Sequence, residues 1–251
     1  MKKLDQKVAV VMPAYNAERT LQRTFDEIPP GIADYVILVD DHSHDNTVKL
    51  AKKLGLIIKV HDHNQGYGGN QKTCYGTALE LGADIVVMLH PDYQYDATKI
   101  PALIEPIKKG ERDIMLGSRM YTRSTALGGG MPIYKYLSNR VLTLVENVVL
   151  GLNLSEYHTG FRAFSRHALE TLRFETNSSD FVFDQEVLVQ ATRLKLSIGE
   201  ISVNARYFPE ASSINLSRSV VYGILTLWTL AKYVLDYTGL VRFPMFRSKL
   251  D

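Results

Sequence analysis

The chain has 251 residues, of which 45% are hydrophobic and 22% are charged, so it is long enough for a large globular domain and bulk disorder is excluded. A net charge of +2 gives no reason to expect a nucleic-acid ligand. The single cysteine, Cys74, excludes an intrachain disulfide and favours a reducing compartment. The sequence has neither a signal-peptide core nor a run of about 18 uncharged apolar residues, so we expect a cytoplasmic protein without a membrane span.

Short apolar runs alternate with helix-like segments in the first part of the chain, which is typical of βαβ units. This rhythm predicts an α/β fold with a Rossmann-like, mainly parallel sheet and helices on both faces. The predicted strands are 8–12, 35–39, 56–60, 85–89, 113–117 and 200–207. A glycine-rich turn is predicted at 63–70, and helices are predicted at 100–109, 133–150 and 220–235. We expect one domain over 1–215 and a C-terminal apolar helical tail over 216–251.

The fourth predicted strand, 85–89, runs into a polar tip that carries His90, Pro91, Asp92 and Gln94. In open α/β sheets, ligands bind just outside the carboxyl ends of such strands. A carboxylate and a nearby amide oxygen can hold a hard divalent cation, and the cation can clamp a diphosphate. The tip therefore indicates a site for a metal ion and a nucleotide.

Five of the seven histidines follow the second, third and fourth predicted strands, together with several aspartates. Loops collect polar residues in most proteins, which is the ordinary explanation of this cluster. A zinc site is an alternative because imidazoles bind zinc well, but the cluster has no His-x-x-x-His spacing and no cysteine partner. A nucleotide-and-metal edge accounts better for the acidic members. The glycine-rich turn lacks the G-x-G-x-x-G spacing of a dinucleotide site.

Five short motifs occur in a fixed order along the chain. They are Pro13-Ala14-Tyr15-Asn16, the segment 39–47 that begins Val39-Asp40-Asp41, the strand that ends near Asp92, Gly117-Ser118-Arg119, and Thr159-Gly160-Phe161-Arg162. In this order they resemble the family 2 inverting glycosyltransferases with the GT-A fold, over residues 7–215. Within that family the chain is most similar to the dolichyl-phosphate mannose synthase type, which moves a sugar from a nucleotide to a polyprenyl phosphate.

The resemblance implies roles for residues that match the family's motifs. The nucleoside would be held by Pro13, Tyr15, Val39 and Asp41, and the donor diphosphate would lie against Pro91, Asp92, Arg119 and Arg206. Asp92 and Gln94 would ligate Mg²⁺ or Mn²⁺, with His90 as a further candidate ligand at the first position of the metal motif. Ser138, Asn139 and Arg140 are candidates for gripping the phosphate of a lipid acceptor. Arg162 is a further candidate phosphate ligand because a guanidinium binds phosphate as a fork.

Three positions depart from the family's pattern. The metal motif usually reads Asp-x-Asp, but its first acid is His90 here, and neutral imidazole is a poorer magnesium ligand than a carboxylate. Ala17 separates the Tyr-Asn pair from Glu18, which usually follows that pair at once. Ser213 stands about where the late loop of the synthases carries a lysine, which removes one phosphate contact.

The expected reaction builds negative charge on the leaving diphosphate, which a divalent ion and arginines such as Arg119 stabilise electrostatically. A lipid phosphate is already an anion and needs no strong general base. A hydroxyl acceptor does need one, and Asp184 or Glu186 is the candidate. Three hypotheses follow: transfer to a polyprenyl phosphate, transfer to a hydroxyl of a glycan or polysaccharide, and a nucleotide-sugar binding protein whose catalysis is impaired because His90 replaces an acid.

The last predicted helix is apolar over most of its surface, with basic residues nearby. Tyr222, Trp228 and Tyr233, together with Lys232 and Arg242, are typical of an interfacial helix that lies on a membrane. The alternative is a helix that packs on the body of the protein or against a second subunit of a homo-oligomer. If the helix lies on a membrane, we expect peripheral contact with the cytoplasmic face of that membrane.

Overall fold

The computed structural model describes residues 6–122, 131–206 and 216–250, and within them seven strands form one sheet. The strands are β1 (Val8–Ala14), β2 (Tyr35–Asp40), β3 (Ile57–Val60), β4 (Ile85–Met88), β5 (Ile114–Ser118), β6 (Arg162–Ser165) and β7 (Ile198–Ser202). Their order across the sheet is β3-β2-β1-β4-β6-β5-β7. β6 runs antiparallel to β4 and β5, and the other neighbours are parallel. The predicted α/β fold with a mainly parallel sheet is confirmed.

Eight α-helices lie in the described part of the chain, most of them between consecutive strands. They are α1 (Leu21–Asp26), α2 (Thr47–Lys53), α3 (Gly66–Glu80), α4 (Ile100–Lys108), α5 (Ile133–Leu150), α6 (Arg166–Thr171), α7 (Phe183–Arg193) and α8 (Leu216–Tyr237). Short 3₁₀ helices cover Ala97–Lys99, Phe174–Thr176 and Pro244–Phe246. The predicted helices 100–109 and 133–150 correspond to α4 and α5, and the tail helix is longer than predicted at both ends.

Apolar side chains alternate between the two faces of the sheet, and helices cover both faces. In β1, Val8, Val10 and Met12 pack into a cluster with side chains of α1, α2 and α4, whereas Ala9 and Val11 pack into a second cluster with α3 and α7. A slip of one residue would move each side chain to the opposite face, so this alternation fixes the register. The register in turn fixes which residues stand at the carboxyl ends of the strands.

Two strands at one side of the sheet differ from the prediction. β6 was not predicted, because its four residues begin with an arginine and interrupt the alternation of parallel strands and helices. It pairs with β4 through Val87 and Ala163 and with β5 through Met115 and Ala163. β7 ends at Ser202 rather than continuing along the predicted segment 200–207, of which Tyr207 lies outside the described residues. The backbone leaves the sheet there, and Ala205 forms an isolated bridge to Tyr95.

The predicted glycine-rich turn is in fact the first turn of α3, so the prediction of a turn over 66–69 is wrong. Gly66 does have a positive φ of 84°, the conformation for which glycine was expected. Gly68 serves a different purpose, because a Cβ there would lie 2.5 Å from the carbonyl oxygen of Ser178 and 2.7 Å from the Cβ of Phe183. The glycines therefore let the start of α3 approach the segment before α7, a long-range contact that a local pattern does not reveal.

The helices α5 and α8 contact each other and bury polar side chains while they expose apolar ones; we call them the inverted helix pair. The buried polar side chains are Thr143 and Glu146 of α5, and Thr226, Thr229 and Asp236 of α8. The exposed apolar side chains include Leu137, Val141, Leu144 and Val148 of α5, and Val220, Val221, Ile224, Leu227 and Trp228 of α8. Among the described helices, none is both long and apolar enough to cross a membrane.

The chain after residue 215 also contributes to the main apolar cluster. Leu230 and Tyr233 of α8 and Phe246 beyond it pack with residues of the sheet and of α7. The carboxylate of Asp236 is fully buried and receives hydrogen bonds from Arg247 of 2.8 and 3.1 Å. The division into a domain over 1–215 and a tail over 216–251 stays a prediction.

Candidate active site

A cavity of about 700 Å³ lies where the carboxyl ends of the central strands face the inverted helix pair. The strand-edge side supplies one group of lining residues, namely Tyr67, His90, Asp92, Gln94, Tyr95, Arg119, His158, Gly160 and Asp184. The helix side supplies Tyr134, Lys135, Ser138, Asn139 and Leu142 from α5, and Arg218, Ser219, Val220, Tyr222 and Gly223 from α8. A site at this edge is what the sheet topology predicts.

Asp92 and Gln94 form an acidic corner of the cavity. Oδ1 of Asp92 accepts a hydrogen bond of 3.0 Å from the backbone N–H of Gln94, so the turn between them is closed on itself. Tyr93 between them has a φ of 59°, which is uncommon for a residue that is not glycine. Its N–H donates to Thr24 and its hydroxyl donates to Glu27, and these bonds hold the unusual conformation. Backbone strain of this kind is concentrated at functional sites.

His90 stands beside this corner and is packed against Tyr67. The two rings are stacked with their centroids 5.4 Å apart, and the Tyr67 hydroxyl lies 3.2 Å from Nε2 of His90. The ring fits only because residue 160 is glycine, since a Cβ there would lie 2.7 Å from Nε2. Burial lowers the pKa of His90, against the opposing effect of Asp92 and Asp184, so the neutral imidazole is favoured. His90 therefore adds no charge to the corner.

The corner fits a cation that is shared with a substrate phosphate. No three His, Cys, Asp or Glu side chains converge as a metal site anywhere in 6–122, 131–206 or 216–250, so the zinc alternative finds no support there. Asp92 and Gln94 nevertheless offer a carboxylate and an amide oxygen on one cavity wall. Mg²⁺ is commonly bound by one or two carboxylates, by water and by substrate phosphates, and this donor set matches that requirement.

Arg119 follows β5 and is fixed by a buried acid that the sequence analysis did not identify. The fully buried carboxylate of Glu156 accepts from Nε of Arg119 at 2.9 Å, from its Nη2, and from its backbone N–H at 2.7 Å. Nη2 also donates to the carbonyl oxygen of His158 at 2.7 Å. The guanidinium is thus oriented in advance at the cavity wall.

The helix side of the cavity is basic where α5 begins. Lys135, Ser138 and Asn139 line the cavity, whereas Arg140, which follows them, is exposed and does not. Burial, and then the positive charge of Arg119, lower the pKa of Lys135. A bound anion would offset both effects, because it would neutralise charges that have lost part of their hydration. This part of the cavity is therefore electrostatically suited to an anionic group.

Of the two predicted base candidates, Asp184 reaches the cavity and Glu186 does not. Oδ2 of Asp184 accepts from the Tyr67 hydroxyl at 2.7 Å, and Oδ1 accepts from the Gln71 amide at 3.0 Å. Burial, with a further contribution from Asp184, raises the pKa of Tyr67 well above its usual value, so the phenol keeps its proton and donates it. Glu186 accepts from the backbone N–H of Ser178 instead.

Arg162 is almost completely buried behind Asp184. Its guanidinium donates to the carbonyl oxygens of Thr159, Tyr157 and Asp184 at 2.6, 3.0 and 2.7 Å. Nη1 also lies 3.6 Å from Oδ1 of Asp184. In this position Arg162 joins the segment before β6 to the start of α7 and does not line the cavity, although the sequence predicts a phosphate contact for it.

The predicted nucleoside ligands lie at the ends of β1 and β2, outside the lining of the cavity. Pro13 is the register partner of Val39, which is fully buried, and Tyr15 is 52% exposed. Asp41 accepts from the backbone N–H groups of Gln65 and Gly66 and lies 2.8 Å from His61, so it anchors the start of α3. The carbonyl oxygen of Pro91 accepts a bond of 2.6 Å from Thr20.

Arg206 lies over the back of the Tyr93 turn. Its guanidinium is 4.3 Å from the centroid of the Tyr93 ring, and Nη1 donates to Glu27 at 2.9 Å. The Glu27 interaction raises the pKa of Arg206 in spite of its partial burial. Arg206 therefore braces the turn that carries Asp92 and is not among the cavity's lining residues. Ser213, the last departure from the family's pattern, lies outside the described residues.

Several cavity residues were missed by the sequence analysis. Tyr67, Tyr95, Lys135, His158 and Tyr222 line the cavity, and Glu156 orients Arg119. One signal was available for Lys135, since it precedes Ser138 and Asn139 by one helical turn on the same helix. Tyr222 and His158 come from segments whose approach to the strand edge depends on the packing of α8, which no local pattern specifies.

Comparisons with known proteins agree on one family. The family model for glycosyl transferase family 2 matches residues 9–173, which is more than half of the chain. The UDP-N-acetylglucosamine–dolichyl-phosphate N-acetylglucosaminyltransferase of Methanococcus voltae is 28% identical over 244 residues, which cover 89% of this chain and 96% of that protein. The undecaprenyl-phosphate mannosyltransferase of Micrococcus luteus is 24% identical over 207 residues, covering 78% and 82%.

Solved structures share the architecture. Glucosyl-3-phosphoglycerate synthase from Mycobacterium tuberculosis in complex with uridine diphosphate has a TM-score of 0.70 at 22% identity, over 91% of this chain and 80% of that chain. The same enzyme with Mn²⁺, uridine diphosphate and glucosyl-3-phosphoglycerate has a TM-score of 0.68 at 20% identity, with the same coverage. At this level of identity the likeness concerns the fold, and the expected GT-A-like arrangement is confirmed.

Proposed function

The chain belongs to glycosyl transferase family 2 and is a glycosyltransferase, and from that premise we propose that it moves a sugar from a nucleotide diphosphate sugar to a polyprenyl phosphate, with inversion. The observation that carries the proposal is the composition of the cavity. One wall presents the acidic corner of Asp92 and Gln94, and another presents Lys135, Ser138 and Asn139, with Arg119 also in the lining. Two anionic substrates, a diphosphate with its cation and a phosphate acceptor, would use these two walls.

The charge arrangement favours a phosphate acceptor over a hydroxyl. An anionic acceptor is already a nucleophile and requires cations around it, which Lys135 and Arg119 supply. A hydroxyl acceptor requires a carboxylate that can take a proton, and Asp184 is the one predicted base that lines the cavity. Both of its oxygens already accept hydrogen bonds, one from the Tyr67 hydroxyl and one from the Gln71 amide. The relatives from M. voltae and M. luteus carry names that specify lipid-phosphate acceptors, which also supports the proposal.

A divalent cation belongs to the same proposal. Asp92 and Gln94 would hold Mg²⁺ or Mn²⁺ together with the donor diphosphate, and the neutral imidazole of His90 would remain with Tyr67. When bound, the cation would stabilise the negative charge that develops on the leaving diphosphate. The synthase from M. tuberculosis has been crystallised with Mn²⁺ or Mg²⁺ and uridine diphosphate, which is consistent with this assignment.

The test is a transfer assay with labelled UDP- and GDP-sugars, Mg²⁺ or Mn²⁺, and a short polyprenyl phosphate. We expect a labelled product that is extracted into organic solvent and that depends on the cation. A labelled glycan that stays in the aqueous phase would favour the hydroxyl acceptor. Donor binding without turnover on any acceptor would favour the binding protein with impaired catalysis. Either result would contradict the proposal.

Asp92 provides the decisive variant for the site itself. We expect Asp92→Asn to lower kcat/KM by about 10²–10³-fold, by analogy with the loss of one electrostatic contact to the developing charge. Asp62→Asn is the matched control, because Asp62 is an exposed aspartate outside the cavity lining. Full activity of Asp92→Asn with an unchanged dependence on metal would refute the assignment of the corner.

We further propose that the outward apolar sides of the inverted helix pair rest on a membrane surface. The exposed fractions of four apolar side chains on the two helices are 65% for Leu144, 76% for Val148, 61% for Ile224 and 55% for Trp228. Apolar side chains this exposed normally occur singly on a protein surface, whereas here they extend along two helices. Exposed arginines at 140, 218 and 242 would attract anionic lipid headgroups. The same helices line the cavity, so an acceptor bound there would have its lipid chain close to the bilayer.

Vesicle flotation tests this contact. We expect the wild-type protein to float with anionic vesicles and the Leu144→Glu/Ile224→Glu variant to remain in the soluble fraction with an unchanged melting temperature. Val60→Glu is the matched control, because Val60 is 53% exposed on the edge strand β3, away from the helix pair. If the wild-type protein does not float and sediments as a dimer that the double variant dissociates, the helix pair is instead a contact between subunits.

A further inference from the structure

A buried polar cluster connects the interior of the inverted helix pair to the cavity. Glu146 of α5 is completely buried, and neither of its carboxylate oxygens has a hydrogen-bond partner within the described residues. Oε2 lies 3.2 Å from Nε2 of His158, at the distance of an ion pair. The other ring nitrogen of His158, Nδ1, lies 2.8 Å from the hydroxyl of Tyr222 on α8. Both His158 and Tyr222 line the cavity.

An isolated buried carboxylate is costly, because the protein must replace the water that it has lost. Three groups face the His158 unit: Glu146 from α5, Tyr222 from α8, and the Arg119 guanidinium, which donates to its carbonyl oxygen. The His158 imidazole is the group that contacts the Glu146 carboxylate. A protonated imidazole would neutralise the carboxylate, whereas a neutral ring could offer it only the N–H at Nε2. An imidazolium–carboxylate pair is therefore the arrangement in which the buried charge is neutralised.

The protonation state of His158 decides what the hydroxyl of Tyr222 can do. An imidazolium has an N–H at both nitrogens, so Nδ1–H donates to the Tyr222 oxygen and the phenolic proton is left for another acceptor. A neutral ring that keeps its proton on Nε2 would instead accept the phenolic proton at Nδ1. Burial, together with the charges of Glu146 and Asp184, raises the pKa of Tyr222, so the phenol keeps its proton at neutral pH. The state of the buried pair thus sets the direction of one hydrogen bond at the cavity wall.

We propose that Glu146 and His158 are positioning residues that make Tyr222 a hydrogen-bond donor to a phosphate oxyanion in the cavity. This inference rests on the proposed function, because the oxyanion belongs either to the acceptor phosphate or to the donor diphosphate. It also explains why α5 retains a buried acid at a position where an apolar side chain would be expected to stabilise the helix pair.

The main test is a double-mutant cycle on Tyr222→Phe and Glu146→Gln. A hydrogen bond to a charged group corresponds to a loss of about ten- to hundredfold in substrate affinity. We expect each single variant to raise a KM by that factor and the double variant to lose no more than either one, because both substitutions remove the same donated proton. Thr143→Val is the control, since Thr143 is a buried polar residue on the same helix that does not line the cavity. Losses that multiply in the double variant would overturn the proposal.

The KM values for the two substrates identify which oxyanion Tyr222 binds. A rise in the KM for the lipid phosphate alone assigns Tyr222 to the acceptor, and a rise for the nucleotide sugar alone assigns it to the donor. An unchanged KM for both substrates in Tyr222→Phe would overturn the proposal. Glu146→Met separates positioning from structure, because a purely structural acid would leave both KM values unchanged while the melting temperature changes.

A spectroscopic measurement keeps the inference testable if the proposed transfer reaction itself fails. The ¹⁵N shifts of labelled histidine distinguish an imidazolium from either neutral tautomer, and His158→Asn identifies the signal. We expect an imidazolium in the wild-type protein and a neutral ring in Glu146→Gln. A neutral ring in the wild-type protein would overturn the proposal. Titration with inorganic phosphate then shows whether oxyanion binding is weakened by Tyr222→Phe when no sugar transfer can be measured.

Discussion

The sheet and the inverted helix pair bury opposite kinds of side chain. In the sheet, Val10, Leu38 and Val87 are completely buried, and the buried polar side chains stand at the ends of strands, as Asp40, Ser118 and Arg162 do. In the helix pair, Glu146 and Thr226 are completely buried, and many apolar side chains, such as Leu144 and Ile224, point outward. The sheet thus follows the rule for a protein surrounded by water, and the helix pair departs from that rule over much of α5 and α8.

This difference indicates two separate requirements on the chain. The sheet supplies a rigid frame that brings the ends of β4 and β5 to one edge. The helix pair closes the cavity over that edge and presents an apolar exterior that suits a lipid surface better than water. The cavity therefore lies between the sheet and a helix pair whose outward side we propose to rest on a membrane. Substitutions in the two regions should have different consequences.

The largest effect on stability is expected at the strand edge. Glu156→Ala removes the buried carboxylate that pairs with Arg119, which costs about 3–5 kcal/mol in the free energy of unfolding. Denaturant unfolding measures this loss. The control is Glu175→Ala, which breaks a half-exposed ion pair with Lys249 and should cost less than about 1 kcal/mol. Equal costs for the two variants would mean that Arg119 finds another partner.

The next prediction compares the same substitution in the two regions. Leu116→Ala creates a cavity at the fully buried strand β5 and should lower the free energy of unfolding by about 2–5 kcal/mol. Leu144→Ala removes a side chain that is 65% exposed on α5 and should change the free energy of unfolding by less than about 0.5 kcal/mol. Denaturant unfolding without lipid measures both values. If Leu144→Ala costs as much as Leu116→Ala, a second subunit covers α5 in solution.

A smaller effect is expected where the helix pair meets the substrates. Lys135→Ala should raise the KM for the acceptor phosphate about tenfold, because one charged contact is lost, and should leave stability nearly unchanged. Initial-rate kinetics with varied acceptor measure this change. Lys53→Ala on the exposed side of α2 is the control. A change in the KM for the nucleotide sugar, with none for the acceptor, would move Lys135 to the donor side of the cavity.

The smallest effect is a dependence on pH that also comes from Lys135. A lysine carries its charge below its pKa, and burial and Arg119 lower this pKa, so the charge is lost at a lower pH than in an exposed lysine, whose pKa is about 10.4. The KM for the acceptor should therefore rise with increasing pH within that alkaline range. The rise should be smaller than the about tenfold increase in KM expected for Lys135→Ala. Lys135→Arg keeps its charge and should abolish the rise; persistence of the rise would assign it to another group.

Much of the frame and part of the site could be predicted from the sequence. Asp92, Gln94 and Arg119 were selected because they follow buried strands, and parallel strands bring their ends to one edge. β6 could not be predicted from the sequence, because a short antiparallel strand is stabilised by pairing with two neighbouring strands rather than by the hydrophobic pattern of its own residues. The positions of Lys135, His158 and Tyr222 could not be predicted, since they depend on where α5 and α8 pack.

Consecutive residues are enough to predict the α/β rhythm, the family and the polar strand ends, because local periodicity and short motifs lie within single segments of the chain. The folded structure establishes that Glu156 orients Arg119, that Asp184 reaches the cavity while Glu186 does not, and that Arg162 bonds to three carbonyl oxygens. It also establishes that Glu146 turns inward while Leu144 and Val148 of the same helix turn outward. These are contacts between residues far apart in the chain, and their energy depends on burial, which a one-dimensional pattern does not specify.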